Sequence, residues 1–416
     1  MGGTGSVTVT GAGSQFGVAG SDAFMAVGRG AGSTGRLAVN AGGLVTGTVL
    51  NVGRLAATGV LSVDGGQLQL SGQYTGGVQA ANLSAGTQGG AGVIDLKNGA
   101  QVRITSSGTT ATGIALGGAL NQTGGGSAVM NVSGGSSVVV RGPAGLPITS
   151  VGYDGTAVLN VSGASSIDLA DGNLFIARSA AAVGTVTLAG GSSLSVGWVE
   201  VGRARAVGSD DLLGSNAGLG TLIVNASTLT AANIVIGSRG YLGSSGTLVG
   251  NVLNFGTFNP GNSPGTMVIG GSYTAGAGGK LVLEVAANGQ GGFATDQVVF
   301  TAGTSVDLTG LNVEFHFLGA TDPSAFQASG GFGIDHFLLR RDAGGALTGL
   351  GAAAFQAVSF SAQADAFTFS SFAFNPQTGA NFTLSAVPEP GALGLMPGGL
   401  VGLAWRSRAG AGPARA

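Results

Sequence analysis

Carboxylates are the side chains of this sequence that could do acid–base chemistry. Asp168 and Asp171 lie three residues apart near the end of a strand-like segment. Asp210 and Asp211 are adjacent in a polar stretch. A pair of carboxylates can cleave a glycosidic bond as general acid and base, provided that they share one groove. The chain has only 18 Asp and Glu in 416 residues. Both pairs are therefore more typical of solvated turns than of an active site.

The two histidines point to metal chemistry only weakly. His316 and Glu314 are two residues apart in the segment EFHF, so both side chains would leave the same face of a strand. Two ligands from one strand need others that converge on the metal, and His336 follows Asp335 in a different segment. The sequence has no Cys, which removes thiolate ligands, thiol nucleophiles and disulfides. It predicts no catalytic residue, no metal site and no cofactor.

Internal repeats define the elements that would carry any site. The segment AVMNVSGGSSVVV at 128–140 recurs as AVLNVSGASSIDL at 157–169, and looser copies lie at 35–45, 59–70 and 184–196. Each copy is a short alternating strand pattern, a Gly-rich corner and a second strand pattern. A third strand-like element ends at a glycine, at position 28, 53, 152, 202 or 237. This spacing predicts a basic coil of roughly 25 residues, with insertions such as 203–220 in outer loops.

A three-part unit with a near-constant step favours a parallel β-helix over a sandwich or a propeller. Gly supplies 84 residues and charged residues only 8%, so helices are disfavoured. Inward Val, Leu and Ile would stack between coils, with Val161 among them, and about ten coils are expected in residues 1–270. The repeat asparagines would form either stacked amide ladders or turns. These residues are Asn40, Asn51, Asn131, Asn160 and Asn225.

The composition changes near residue 254, since 16 of the 19 Phe follow it. At this border the segment GTFNPGNSPGTMVIGGSYT (256–274) precedes GGKLVLEV (278–285) and a DQV element (296–298). This order resembles the last coils of the passenger-associated repeats of bacterial autotransporter-type surface proteins. The resemblance covers roughly residues 1–310 and implies a right-handed parallel β-helix.

The C-terminal segment holds a three-part motif. VPEP (387–390) is followed by the apolar run GALGLMPGGLVGLAW (391–405) and by RSRAGAGPAR (406–415). The motif resembles the PEP-CTERM sorting signal of Gram-negative bacteria. The resemblance implies that an exosortase-type enzyme recognises the first part and removes the tail during export. The residues concerned are Val387, Pro388, Glu389 and Pro390.

The physical properties of this tail are consistent with that role. Pro388 and Pro390 keep the backbone extended, so a processing enzyme could hold it as a strand. Arg406 and Arg408, which follow the apolar run, favour the cytoplasmic side of a membrane. The run has 15 residues, whereas a full membrane span needs about 20. The tail is therefore expected to give only a transient, modest attachment to the inner membrane.

The N-terminal segment MGGTGSVTVTGAGS has neither the basic nor the apolar part of a secretory signal. Export therefore predicts a cap and a signal peptide upstream of Met1. A formal net charge of −2, with Lys and Arg scattered along the chain, argues against nucleic acid as a partner.

These observations predict an all-β protein: a right-handed parallel β-helix at 1–310, a small Phe-rich β cap region at 311–386 and a sorting tail at 387–416. The expected function is that of an exported, non-catalytic structural or adhesive protein of the Gram-negative cell envelope or extracellular matrix. Its expected partners are an exosortase-type enzyme, exopolysaccharide and neighbouring surface proteins. The alternatives are a β-helix polysaccharide-active enzyme, either lyase or glycosidase, and a filament assembled through exposed coil ends.

Overall fold

Alternation of apolar and polar side chains, interrupted by glycine corners, divides the chain into short strands. The computed structural model describes residues 2–387 except 21–23, 73–81, 107–111, 119–123, 145–146, 203–217 and 262–263. Within these ranges there is one short α-helix, α1 (Pro323–Ala328), and two 3-10 helices, Ile334–His336 and Ala352–Phe355. The rest of the regular structure is β.

The strands as far as residue 201 are, in chain order, β1 (Thr4–Thr10), β2 (Gln15–Gly17), β3 (Phe24–Arg29), β4 (Thr34–Asn40), β5 (Leu44–Gly47), β6 (Val49–Arg54), β7 (Thr58–Asp64), β8 (Gln67–Gly72), β9 (Leu83–Thr87), β10 (Ala91–Lys97), β11 (Gln101–Ser106), β12 (Thr112–Leu116), β13 (Ser127–Val132), β14 (Ser137–Arg141), β15 (Ile148–Val151), β16 (Thr156–Val161), β17 (Ser166–Ile176), β18 (Val183–Leu188) and β19 (Ser193–Val201).

The strands beyond residue 217 are β20 (Leu219–Val224), β21 (Thr228–Ile236), β22 (Gly240–Ser244), β23 (Thr247–Asn254), β24 (Thr257–Pro260), β25 (Thr266–Ile269), β26 (Tyr273–Ala275), β27 (Lys280–Ala287), β28 (Phe293–Thr295), β29 (Gln297–Phe300), β30 (Val306–Asp307), β31 (Asn312–Phe317), β32 (Leu338–Arg341), β33 (Leu347–Gly349), β34 (Ser359–Ala364), β35 (Phe367–Asn375) and β36 (Gly379–Ala386).

Parallel pairing stacks these strands in three ladders. The first ladder has the order β1-β4-β7-β10-β13-β16-β18-β20-β22-β24-β27-β31-β34. The second begins with β2, β5 and β8, and the third with β3, β6 and β9. The long strands β17, β19, β21 and β23 pass from the second ladder into the third across a bend, which joins the two into one sheet. The protein is therefore a parallel β-solenoid, which confirms the fold class predicted from the repeats.

The ladders extend through most of the described chain. Ten strands of the first ladder in the described ranges, from β1 to β24, begin before residue 270, which agrees with the number of coils expected there. Parallel pairing then continues past residue 310 through β31 and β34. The solenoid and the Phe-rich region thus share the first ladder. The predicted outer insertion falls largely on 203–217, outside the described residues.

The core consists of inward side chains stacked from coil to coil. Val161 on β16 is 1% exposed and lies in register between Val132 and Leu188. The next residue inward on the same strand is Leu159, which lies between Met130 and Val186. Because each coil buries its apolar face only against its neighbours, stability accumulates along the axis.

Polar ladders accompany the apolar ones. Asn160 Nδ2 donates to Asn131 Oδ1 at 2.9 Å, and Asn131 Nδ2 donates to Asp95 Oδ1 at 2.8 Å, so these two asparagines form an amide ladder. A second ladder, of buried serine hydroxyls, lies in the corner after the first-ladder strand of four consecutive coils, at Ser136, Ser165, Ser192 and Ser227, and the sequence did not indicate it. Ser136 Oγ accepts from Ala100 N at 3.1 Å, and Ser165 Oγ accepts from Ser136 N at 3.2 Å.

Phenylalanines close the end of the core beside β34. Phe315 on β31 is fully buried, edge-on to Phe337 at 5.2 Å between centroids and parallel to Phe360 at 6.3 Å. The antiparallel hairpin of β35 and β36 turns one face toward this cluster, and its Phe374 ring lies 4.4 Å from Phe360. The predicted Phe-rich β region is thus present and covers this end of the solenoid.

Candidate functional site

The sorting-like motif begins where the described fold ends. Val387 follows β36 directly, is 45% exposed, and donates its backbone N–H to Ala366 O at 3.2 Å. The rest of the predicted motif and its flank lie outside the described residues: Pro388, Glu389, Pro390, Arg406 and Arg408. In the part of the chain that the structure describes, no helix is long and apolar enough to cross a membrane.

The first carboxylate pair is brought together by an arginine. Arg141 at the end of β14 pairs with the Asp168 carboxylate, and its Nε lies 3.8 Å from Asp171 Oδ2. Arg141 Nη1 also donates to the backbone oxygens of Val140 at 3.0 Å and Asp168 at 3.3 Å. Hydrogen bonding to Arg141 lowers the pKa of Asp168, so this carboxyl is ionised at neutral pH and unsuited to act as a general acid. Asp210 and Asp211 lie outside the described residues.

This arginine cluster braces an irregularity in β17. The register between β17 and β19 shifts between Leu169 and Asn173, at the bend that joins the second and third ladders. Asp168 also accepts from Ala170 N through Oδ1 at 3.1 Å. The contacts of Arg141 and Asp168 therefore hold the backbone of the bend, and they leave the two carboxylates engaged with a cation.

His316 and Glu314 leave the same face of β31, as predicted, but bind different partners. His316 Nε2 lies 3.0 Å from Asp365 Oδ1, and Lys280 Nζ donates to Glu314 Oε2 at 3.0 Å. His336 is exposed in a 3-10 helix. Among the described residues, no group of three or more His, Asp and Glu is placed to hold a metal ion.

A buried aspartate connects two segments of the autotransporter-like sequence at 256–298. Asp296, the first residue of DQV, is fully buried. Its Oδ1 accepts from Gly265 N in the NSPGT segment at 2.8 Å, and its Oδ2 accepts from Glu284 N on β27 at 2.9 Å. Burial raises the pKa of Asp296 to about 7, against the effect of these two hydrogen bonds, and the nearby Glu284 charge adds to the rise. From the sequence, these segments stand out only through their resemblance to autotransporter-type repeats.

Asp296 should make the stability of the protein fall as pH rises. Its pKa is raised above the ordinary Asp value of 3.8 to about 7, so the folded state holds the proton more tightly than the unfolded chain. The resulting stabilisation is complete below pH 4 and is lost as pH rises through 7. Denaturant titrations from pH 4 to 8 should show a decline of a few kcal/mol for the wild type.

The Asp296→Asn variant is the control for this decline, because its amide has no charge to desolvate. Its stability should be nearly constant over the same pH range, although one of the two backbone hydrogen bonds is lost. Glu284 and Tyr241, the titratable groups beside Asp296, remain in both proteins. Parallel pH profiles of variant and wild type would show that Asp296 does not titrate in this window.

A regular polar surface follows the long strands. We call it the long-strand face: the outward side chains of β17, β19, β21 and β23 before and at the bend. Neighbouring strands stand about 4.8 Å apart, so equivalent residues form columns along the solenoid. The columns are Ser166-Ser193-Thr228-Thr247, Asp168-Ser195-Thr230-Val249 and Asn173-Trp198-Asn233-Asn251.

The long-strand face has a sharp border. The next column beyond the bend is buried at Phe175 (4% exposed), Glu200 (1%) and Val235 (1%), and its last member, Leu253, is part-exposed. Ser193, Thr230, Val249 and Asn251 on the face itself are exposed. The face is thus a strip of hydroxyls and amides that ends at the Trp198 column. The repeats predicted the hydroxyls, but not the tryptophan within the amide column.

Comparisons with protein-family models, with curated proteins and with solved structures found no match.

Proposed function

We propose that the protein is an exported, non-catalytic structural or adhesive component of the Gram-negative cell envelope or extracellular matrix. An exosortase-type enzyme removes its tail, which holds the chain at the inner membrane before processing. Exopolysaccharide and neighbouring surface proteins are its partners, and no nucleic acid is among them. The observation that carries the proposal is that the sorting-like motif starts at exposed Val387, directly after the last described strand.

That position makes processing compatible with folding. The last strand pair closes with Phe367 opposite Ala386, and the motif starts at the next residue, Val387. Cleavage at the motif would remove none of the described strands and no part of the Phe cluster. Because Pro388 and Pro390 disfavour a helix, an enzyme could bind this segment as a strand without unfolding β36.

The solenoid supplies surface rather than an active centre. Asp168 and Asp171 face Arg141, and Glu314 and His316 have separate partners. The exposed hydroxyl and amide columns suit many weak hydrogen bonds to glycans or to other surface proteins.

The enzyme alternative rests on the Asp168–Asp171 pair. Release of shorter saccharides from a polysaccharide substrate, lost on Asp168→Asn substitution, would favour it.

The tail proposal is tested by intact-mass measurement of the exported protein. The full chain, with a signal peptide supplied, should lose the residues beyond the motif in a Gram-negative host that has an exosortase. In a host without the enzyme it should keep its tail and stay with the membrane fraction, though weakly, because the apolar run is shorter than a full span.

Substitution separates recognition of the motif from other effects of the tail. Changing Pro388, Glu389 and Pro390 together to Ala should abolish cleavage and leave the circular dichroism of the solenoid unchanged. The matched control is Pro397→Ala within the apolar run, which should still be processed. A secreted wild-type chain that retains Ala416 in the exosortase host would contradict the proposed sorting.

A further inference from the structure

Trp198 occupies a distinctive place on the long-strand face. It is the sole Trp of the described chain and is part-exposed at the border of the face. Its Nε1 atom is buried, so the part of the side chain that solvent reaches is carbon. An apolar ring edge or face thus meets water at the border of a polar surface, beside amide and hydroxyl side chains.

The immediate neighbours of Trp198 are amides and hydroxyls. Asn173 and Asn233 lie directly beside it on the adjacent strands, about 4.8 Å to either side. Ser195 and Thr230 stand in the next column of the face. Amide side chains both donate and accept hydrogen bonds, as do hydroxyls. An apolar ring flanked by such groups is complementary to a sugar, which has an apolar C–H face and a rim of hydroxyls.

The spacing and charge of the face narrow the class of sugar. Columns that repeat at about 4.8 Å are close to the slightly larger advance per residue of an extended β-1,4-linked glycan, so over the four strands of the face one sugar can lie near each coil. The charge of Asp168 is compensated by Arg141, and Glu200 is buried beyond the border. The outward columns between β17 and β23 contain no Lys or Arg. These features fit a neutral glycan better than an anionic one.

We propose that the long-strand face is a binding site for a neutral β-1,4-linked polysaccharide, with Trp198 stacking on one sugar ring and Asn173 and Asn233 bonding the hydroxyls of that sugar and its neighbours. The chain of sugars runs along the solenoid axis. This inference rests on the proposed adhesive function and names its ligand class and its site. It is independent of tail processing.

Fluorescence reads the site directly. The sequence has two Trp, so Trp405→Phe leaves Trp198 as the single tryptophan of the full chain. Titration of this protein with cellohexaose, a soluble β-1,4-glucan oligosaccharide, should change the intensity or wavelength of its emission. Alginate, an anionic 1,4-linked polymer of uronic acids, should produce no saturable change. Absence of a response to cellohexaose would overturn the proposal.

Affinity electrophoresis in hydroxyethyl cellulose extends the test to variants without tryptophan emission. Trp198→Ala should weaken retardation at least about tenfold, since it removes the stacking surface, and Trp198→Phe should retain part of it. Asn233→Ala should weaken it by about fivefold through loss of hydrogen bonds. The matched control is Leu219→Ala, an exposed apolar truncation on the first ladder, which should bind like the wild type.

The outcomes separate this site from the broader function. Equal retardation of wild type and Trp198→Ala would overturn the site, while binding as such would still support an adhesive protein. Preferential retardation by alginate would overturn the ligand class. Failure of tail processing, by contrast, would contradict the sorting proposal and leave the binding results unaffected. Unchanged circular dichroism of each variant verifies that the fold is intact.

Discussion

Val161→Asp should lower the free energy of unfolding by more than about 4 kcal/mol, whereas Val158→Asp on the same strand should lower it by about 1 kcal/mol or less. The two substitutions are chemically identical and three residues apart on β16. They differ in the face of the ladder on which the carboxylate is placed. The comparison therefore measures which face is the core.

The difference follows from the surroundings of the two valines. Val161 is 1% exposed and stacks between Val132 and Leu188, so a carboxylate there would be buried without a partner. Val158 is part-exposed and faces outward between Val129 and Thr185. A charge at that position keeps most of its hydration, and the cost is limited to lost contacts and lower strand propensity.

Denaturant unfolding followed by far-ultraviolet circular dichroism gives both free energies. A solenoid is quasi-one-dimensional, so the Val161→Asp variant could unfold in segments, and tryptophan fluorescence should be recorded as a second probe of cooperativity. The spectrum of the wild type should be that of β-sheet. Similar losses of stability in the two variants would show that β16 does not have the inward and outward faces described here.

The faces of β16 could be predicted because the strand period is two and the corner glycine fixes where the alternation starts. The amide ladder of Asn131 and Asn160 was one of two alternatives open from the sequence, since Asn favours turns as well. The serine ladder was not predicted, although Ser136 and Ser165 hold the same place in the two best repeat copies. Their neighbours Ser137 and Ser166 are chemically identical, and only the corner geometry decides which hydroxyl is buried.

The sequence alone did not predict which side chains of neighbouring coils contact each other. Asp168 pairs with Arg141, and Trp198 lies between Asn173 and Asn233. These residues become neighbours because the loops that connect successive coils differ in length. The step in the column is 25 residues from Asn173 to Trp198 and 35 from Trp198 to Asn233. Insertions of this kind change which residues become neighbours without altering the local strand pattern. The fold class is thus set by local periodicity, and the candidate site by loop lengths.

Gly59→Ala should cost about 3 kcal/mol or more, whereas Gly5→Ala should be neutral or stabilise slightly. Both glycines occupy the second position of a first-ladder strand and belong to one column, in which Gly5 pairs with Gly35 and Gly35 with Gly59. Each substitution removes the same conformational freedom from the unfolded chain, so this contribution cancels between them.

The expected difference comes from the corner between the third and first ladders. A Cβ atom at Gly59 would lie 2.1 Å from Val27 O and 2.3 Å from Gly53 N, and these are backbone atoms that cannot turn aside as a side chain can. Gly53 itself has φ of +68° and follows the last inward residue of β6, which brings the two backbones together. Around Gly5 no atom lies within 4 Å of the added Cβ.

Relief of the clash at Gly59 requires the start of β7 to move away from the end of β6, which would strain the pairing of β7 with β4. The loss should appear as a lower denaturant midpoint with little change in the m-value, since the core residues stay the same. It should also raise the hydrogen-exchange rates of amides near this corner above those of distant coils. Equal midpoints for the two variants would mean that the corners are looser than the backbone approach implies. The glycine column would then reflect composition rather than the closure of each coil.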